Sequence, residues 1–382
     1  MVLITDGKGT ITDMVPRPEA GDNIETFAGL LTPGFINVHC HLELSHLKGV
    51  IPEKTGLVEF VQQVMTKRAG YATASKKEIA DLWMVRQQAM QDAESELFGS
   101  GTVAVGDICN TGDSLPIKEN AKLGFHNFIE VSGFVDATAE KRLADLQNVY
   151  DRFAAIAGVN TTYSPHAPYS VSKTLFGLLN AKTGGQLISI HNQESAEENE
   201  LYRQKSGGFL SLFKNVGIDI SSFKQSGKTS FETWAPYFTN DQTVISVHNT
   251  FITPQDIELI KQPQALNFFF CLCINANKYI EQKLPPIALL RKNNCSLLVG
   301  TDSYASNRQL NMLEEIKTIQ RETNYEIPLA EVLQWATING AKALQMDNYL
   351  GSFERGKKPG VVLISGLNDL DTGPSSQARR IL

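Results

Sequence analysis

Apolar positions along this chain arrive in short continuous runs rather than in strict alternation. Eight runs stand out: Phe35–His41, Thr102–Cys109, Phe125–Ser132, Thr162–His166, Leu187–His191, Thr243–His248, Leu266–Cys273 and Ser296–Asp302. Continuous apolar runs suit strands of a parallel sheet, which are covered on both faces. Between them lie helix-forming segments with apolar residues at helical spacing, at Glu59–Lys67, Lys77–Leu97, Leu143–Ala157 and Leu313–Arg321. Eight strands alternating with helices is the order of a (β/α)8 barrel. The pattern therefore predicts an α/β protein whose TIM barrel is a catalytic domain spanning 33–346.

The two ends have a different rhythm. Val2–Thr5, a turn at Asp6–Gly9 and Thr10–Thr12 read as a hairpin. After Tyr349, a turn at Gly351–Phe353 precedes an apolar strand at Gly360–Ile364. The ends, 1–32 and 347–382, are expected to pair as a small composite β-sandwich beside the barrel. Gln204–Asn240 is rich in Ser, Gly, Lys and Phe and is longer than a normal connection. It is a candidate lid, or the contact surface of a homodimer.

Composition narrows the class. The 382 residues are 42% hydrophobic and 20% charged, too apolar for a disordered chain. A net charge of -6 without a basic block argues against a nucleic-acid partner. No apolar stretch approaches the ~18 residues of a membrane span, and no secretory signal follows Met1. Five scattered cysteines, an odd number, suit free thiols in a reducing compartment. The expectation is a cytoplasmic protein that acts on a small molecule.

The seven histidines then carry the chemistry. His39 and His41, two apart on a strand, share one face. In a barrel that face is the interior, at the C-terminal mouth where active sites sit. His191 and His248 end the fifth and sixth runs, Asp302 ends the eighth, and Glu194 follows His191 by three. Three imidazoles (His39, His41, His191) and one carboxylate (Asp302) suit one divalent ion, Zn²⁺ first and Fe²⁺ second, with an open position for water. Such an ion lowers the pKa of water toward ~7. Asp302 can both ligate and take a proton. Glu194 is the expected general acid, and His248 the residue that polarises water or steadies the intermediate. His46 reads as a loop histidine and His126 as structural. Cys40 faces the helices. Cys271 and Cys273 read as packing. Glu43 and Glu130 sit near strand ends and read either as substrate contacts or as solvated or salt-bridged carboxylates. Glu197, Glu198 and Glu200 read as a solvated helix face.

At these residues the chain resembles the amidohydrolase superfamily, in its chlorohydrolase and cytosine-deaminase-like branch. The motifs are Pro33-Gly34-Phe35-Ile36-Asn37-Val38-His39-Cys40-His41-Leu42, Ser164-Pro165-His166-Ala167-Pro168-Tyr169, His191-Asn192-Gln193-Glu194-Ser195 and Gly300-Thr301-Asp302-Ser303-Tyr304-Ala305-Ser306-Asn307. Leu350–Gly360 looks like that family's return to its sandwich. The resemblance covers essentially the whole chain. It implies a barrel with a composite sandwich, a mononuclear metal site, and hydrolytic removal of an amino group, or less often a halide, from a heterocycle. Family members with two ions use a lysine on the fourth strand, and Thr162–His166 has none. The resemblance assigns His166 to the substrate's sugar, and Glu43, Ser303 and Asn277 are further candidate substrate contacts. His41–Ser45 and Gly300–Asn307 look most like aminodeoxyfutalosine deaminases. The implied substrate is thus a purine nucleoside such as aminodeoxyfutalosine or an adenosine derivative. The alternatives are a chlorohydrolase, a hydrolase of guanine, cytosine or triazine type, and a non-catalytic barrel. Two features depart from the family pattern. Cys273-Ile274-Asn275-Ala276-Asn277 stands where the branch has Cys-Pro-Arg-Ser-Asn, and few residues precede Pro33.

Overall fold

The computed structural model describes residues 1–68, 75–262 and 266–382. The strands, in chain order, are β1 Val2–Thr5, β2 Ile11–Val15, β3 Leu30–Pro33, β4 Phe35–Cys40, β5 Thr102–Cys109, β6 Gly124–Val131 and β7 Asn160–Pro165. They continue with β8 Leu187–Asn192, β9 Thr243–His248, β10 Asn267–Leu272, β11 Ser296–Val299, β12 Val361–Ser365 and β13 Gln377–Arg380. Each of the eight apolar runs is a strand, with ends within three residues of the expected ones.

The eight form two four-stranded parallel sheets, ordered β4-β5-β6-β7 and β11-β10-β9-β8. Every residue of β4 and β8 is buried, which is why these segments carry no alternation. Backbone hydrogen bonds join the sheets at both seams. The His191 N–H donates to His166 O at 2.9 Å, and the Asp302 N–H to His39 O at 3.0 Å. Helices cover the outer faces, and the apolar side chains of Met312–Glu322 pack against β10 and β11.

The second seam needs a close approach. A Cβ on Gly300 would lie 2.9 Å from Cys271 Sγ and 3.0 Å from His39 O. Glycine there lets the chain after β11 run against His39, and Asp302 reaches the same rim. Asn37 fixes the crossing, donating from Nδ2 to Thr301 Oγ1 at 2.7 Å and accepting the Thr301 N–H at 3.1 Å.

Both chain ends contribute to one small antiparallel sheet, β13-β12-β3. β1 and β2 form a separate hairpin tied on by Ile11 N–H to Lys357 O, 2.8 Å. Two details differ from the sequence pattern. Leu143–Ala157 is broken into helices Ala139–Asp145 and Gln147–Ala154. Gln204–Asn240 holds helices Phe209–Asn215 and Ser230–Trp234, anchored by buried Phe209, Phe213, Phe231 and Trp234. Among the described residues no helix is long and apolar enough to cross a membrane.

Candidate metal centre and active site

The strand ends bring four donors to one point. His39 and His41 come from β4, His191 from β8, and Asp302 follows β11. One ligand atom from each lies within 4.8 Å of all the others. His41 Nε2 is 3.1 Å from His39 Nε2 and 3.2 Å from His191 Nε2. Asp302 Oδ1 is 3.4 Å from His41 Nε2 and 3.7 Å from His39 Nε2. A tetrahedral ion with bonds near 2.0–2.1 Å separates its ligand atoms by ~3.3 Å. The observed spacings bracket that value, so this donor set fits a divalent ion.

The tautomers agree. His191 Nδ1 is 2.8 Å from His166 O, an acceptor only, so Nδ1 carries the hydrogen. That leaves the Nε2 lone pair for the cluster. Burial depresses the pKa of His41 and of His191 well below the imidazole range. Burial alone would raise Asp302, but the imidazoles of His39, His41 and His248 around it outweigh burial and hold the carboxyl far below its usual range. Neutral imidazoles beside a carboxylate are the protonation states that bind metal. Glu130, His166 and His191 also lie close together. However, His191 Nδ1 is spent on His166 O, so this group does not make a second ion site.

Glu194 and His248 face each other beside the donors, 3.6 Å apart between Oε1 and Nε2. Burial pushes the Glu194 carboxyl well above its ordinary value, aided by Asp302 and Glu281. Burial therefore favours its protonated form. His248 Nδ1 meets Asn277 Oδ1 at 2.9 Å, while Asn277 Nδ2 donates to Thr250 Oγ1. Nδ1 thus bears the hydrogen, and Nε2, which has no hydrogen-bond partner among the described residues, is an acceptor turned to Glu194.

The turns that present these groups are strained. Gln193, His248, Asn249 and Asp302 have φ of 46°, 69°, 55° and 57°, which costs ~1–3 kcal/mol each for residues other than glycine. Buried side chains hold them. Asn249 Oδ1 accepts from Ser246 Oγ at 2.5 Å and Asn192 Nδ2 at 3.1 Å. Asp302 Oδ2 accepts from Ser306 Oγ at 2.5 Å.

The other expected site residues fall in different places. His166 is half-buried next to His191, ring centroids 5.0 Å apart, with Nδ1 held by Ser170 Oγ at 2.6 Å. Asn277 is fully buried behind His248, with both ends of its amide engaged. Ser303 is turned inward, its Oγ accepting the Ala305 N–H at 3.2 Å. Glu43 staples the first turn to the second. Its carboxyl accepts from Thr111 N at 2.9 Å, Thr111 Oγ1 at 3.0 Å and Asn110 N at 3.1 Å. Burial lifts it to about 7 against the opposing pull of Arg68. The solvated face expected of Glu197, Glu198 and Glu200 is corrected at Glu198, which is fully buried because Ser230 and the Gln193 backbone close over it. Two supports left no mark in the sequence. Asp107 accepts the Leu42 N–H at 2.9 Å beside the histidine pair, and Lys118, wholly buried, meets Asp107 at 2.5 Å. The register of β4 with β5 brings Asp107 there, and the short helix Leu115–Lys118 brings Lys118 to it.

Known proteins resemble this chain over most of its length. A model of the amidohydrolase family matches residues 30–378. A 5-methylthioadenosine/S-adenosylhomocysteine deaminase of Thermoanaerobacter pseudethanolicus is 26% identical over 348 residues, covering 88% of this chain and 73% of the relative. A 5'-deoxyadenosine deaminase of Methanococcus maripaludis is 26% identical over 350 residues, covering 88% and 74%. The structure of Helicobacter pylori aminofutalosine deaminase in complex with methylthio-coformycin superposes with a TM-score of 0.79 at 21% identity, covering 100% of this chain and 94% of that one.

Proposed function

The chain belongs to the amidohydrolase family, and from that premise we propose that it is a metal-dependent aminohydrolase of purine nucleosides. The reaction is hydrolysis of a C–N bond other than a peptide bond. The ring carbon loses its amino group as ammonia and gains a carbonyl oxygen. The observation that carries this reading is the four-donor cluster with the Glu194–His248 pair directly beside it. Relatives named for 5'-modified adenosines support a nucleoside altered at the 5' position, with aminodeoxyfutalosine in the same class.

His39, His41, His191 and Asp302 would hold the ion, and their three nitrogens and one oxygen suit Zn²⁺ best, with Fe²⁺ the alternative. A bound divalent ion supplies Lewis acidity that brings the pKa of water toward neutrality. The proton accounting belongs to the chain. Asp302 takes one proton from the water that adds to the amine-bearing carbon. Glu194 gives its proton to the adjacent ring nitrogen. The tetrahedral carbon then carries both hydroxyl and amine. Asp302 returns its proton to the amine, which leaves as ammonia. The hydroxyl proton passes to Glu194 and restores its acid form. His248, with Nε2 bare, steadies the Glu194 proton between transfers, and Asn277 acts through His248 by fixing its tautomer. His166 borders the space for the sugar.

The same reading joins the two parallel sheets, hydrogen-bonded at both seams, into one eight-stranded barrel over 33–346. It treats the three-stranded sheet and hairpin, 1–32 and 347–382, as a small composite sandwich.

The test is ammonia release by Zn²⁺-loaded protein from 5'-methylthioadenosine, 5'-deoxyadenosine, aminodeoxyfutalosine, adenosine, guanine and cytosine. Turnover is expected on the nucleosides, and no release from any of the six would overturn the reading. Glu194→Gln should keep its metal while kcat falls by ~10²–10⁴-fold. Full activity in that variant would remove Glu194 from the proton path.

A further inference from the structure

The residues behind Glu194 form a clamp that the proton accounting leaves unused. Gln193, its neighbour, sits at φ 46° and is held from every side. Its N–H donates to Glu198 Oε1 at 2.7 Å. Its side-chain Nε2 donates to Asp256 Oδ2 at 3.0 Å and to Asn199 Oδ1 at 3.2 Å. Its carbonyl accepts the Phe251 N–H at 3.0 Å. Glu198 Oε1 also accepts from Ser230 Oγ at 2.5 Å, and Asp256 Oδ1 from Thr229 Oγ1 at 2.5 Å. Three helices, Ala196–Gln204, Ser230–Trp234 and Pro254–Ile260, therefore converge on one peptide unit. Glu198 and Asp256 are both fully buried.

We propose that Glu198 is a positioning residue for deamination. By holding the Gln193 N–H it fixes the direction in which the next side chain, Glu194, meets His248 and the substrate ring. The inference rests on the reading of Glu194 as the proton carrier. Among the described residues its Oε2 is buried without a partner, and burial pushes the acid up to about 8, so a carboxyl here carries a desolvation cost that its two bonds through Oε1 oppose.

The test compares wild type, Glu198→Ala and Glu198→Gln as full-length Zn²⁺-loaded proteins, with 5'-methylthioadenosine as substrate and methylthio-coformycin as a binding probe. In Glu198→Ala we expect one ion per chain, KM within about threefold of wild type, and kcat lower by ~10–100-fold, the usual cost of losing an outer support. The pH profile of kcat should move, because the Glu194 proton sits in altered surroundings. Methylthio-coformycin should bind more weakly by calorimetry. Glu198→Gln keeps an oxygen for the Gln193 N–H and should recover most of kcat. Unchanged kcat in Glu198→Ala overturns the proposal. So does joint loss of metal, KM and kcat that glutamine does not rescue, since that marks a merely structural acid. If the alanine variant does not fold, Ser230→Ala removes the other bond to Oε1 and should lower kcat in the same sense; no change there also overturns it. A wild type that turns over no nucleoside fails at the level of the deamination reading and takes this inference with it.

Discussion

His39 and His126 are both buried histidines on strands of the same sheet, and only their surroundings separate their roles. His39 Nε2 faces other donors. His126 stacks on Phe128, centroids 4.5 Å apart, and touches Thr162 Oγ1 at 3.1 Å. Burial depresses His126 to about 3. Its folded pKa thus lies below the ordinary 6.5 of the unfolded chain. Below that value the unfolded chain takes up a proton that the folded chain refuses, so stability present above pH 6.5 is lost as pH falls toward 3. At pH 5 this amounts to ~2 kcal/mol. Replacing His126 by Phe should flatten the fall in stability between pH 7 and pH 5 by about that much in urea titrations; equal falls in both proteins would refute it. At this scale the sequence exposed whatever spacing encodes. Two histidines two apart in a strand must share a face, and the metal candidates were legible for that reason. Glu198 was not, because Glu197-Glu198 on a helix looks solvated until Ser230, 32 positions away, closes over it.

At the scale of elements, the continuous apolar runs gave the strands correctly because burial on both faces leaves no room for polar alternation. Gln204–Asn240 was harder. Its Ser and Gly content signals turns, while the aromatic residues that anchor its two helices have no periodic partner in the segment and pack on neighbouring elements instead. The passage after β11 makes a sharper point. Gly300 reads in the sequence as part of a motif, and in space as the gap through which the chain passes His39. Gly300→Ala should lower stability by ~1–3 kcal/mol through overpacking. Because the clash falls on His39 itself, the same variant should hold less than one ion per chain by atomic absorption. Wild-type stability with full metal content would show that the seam can yield.

For the whole molecule, the order of the chain was easier to read than its closure. The pairing of the two ends was foreseen, and its anchoring was not. Arg380 donates from Nε to Phe98 O at 3.1 Å and lies over the Phe98 ring at 4.0 Å, so the last strand is bound to the end of the long helix Lys76–Gly99 as well as to β12. Removing 377–382 strips those bonds and uncovers Val362 and Ile364, both fully buried. Several lost hydrogen bonds at ~0.5–1.5 kcal/mol each should lower Tm by roughly 6 °C or more in calorimetry, with metal content unchanged because the donors lie at the far rim. An unaltered Tm would mean that the tail is ornamental. The placement of the donors also sets a clock. His39 and Asp302 stand 263 positions apart in the chain, so the fourth donor is synthesised 263 residues after the first. At ~5–20 residues per second, the 111 residues from His191 to Asp302 take roughly 6–22 s to make. During that interval a growing chain presents three imidazoles and no carboxylate. The complete set of donors exists only once Asp302 has been made, and a cell that loads its ion with fidelity has reason to wait for that residue.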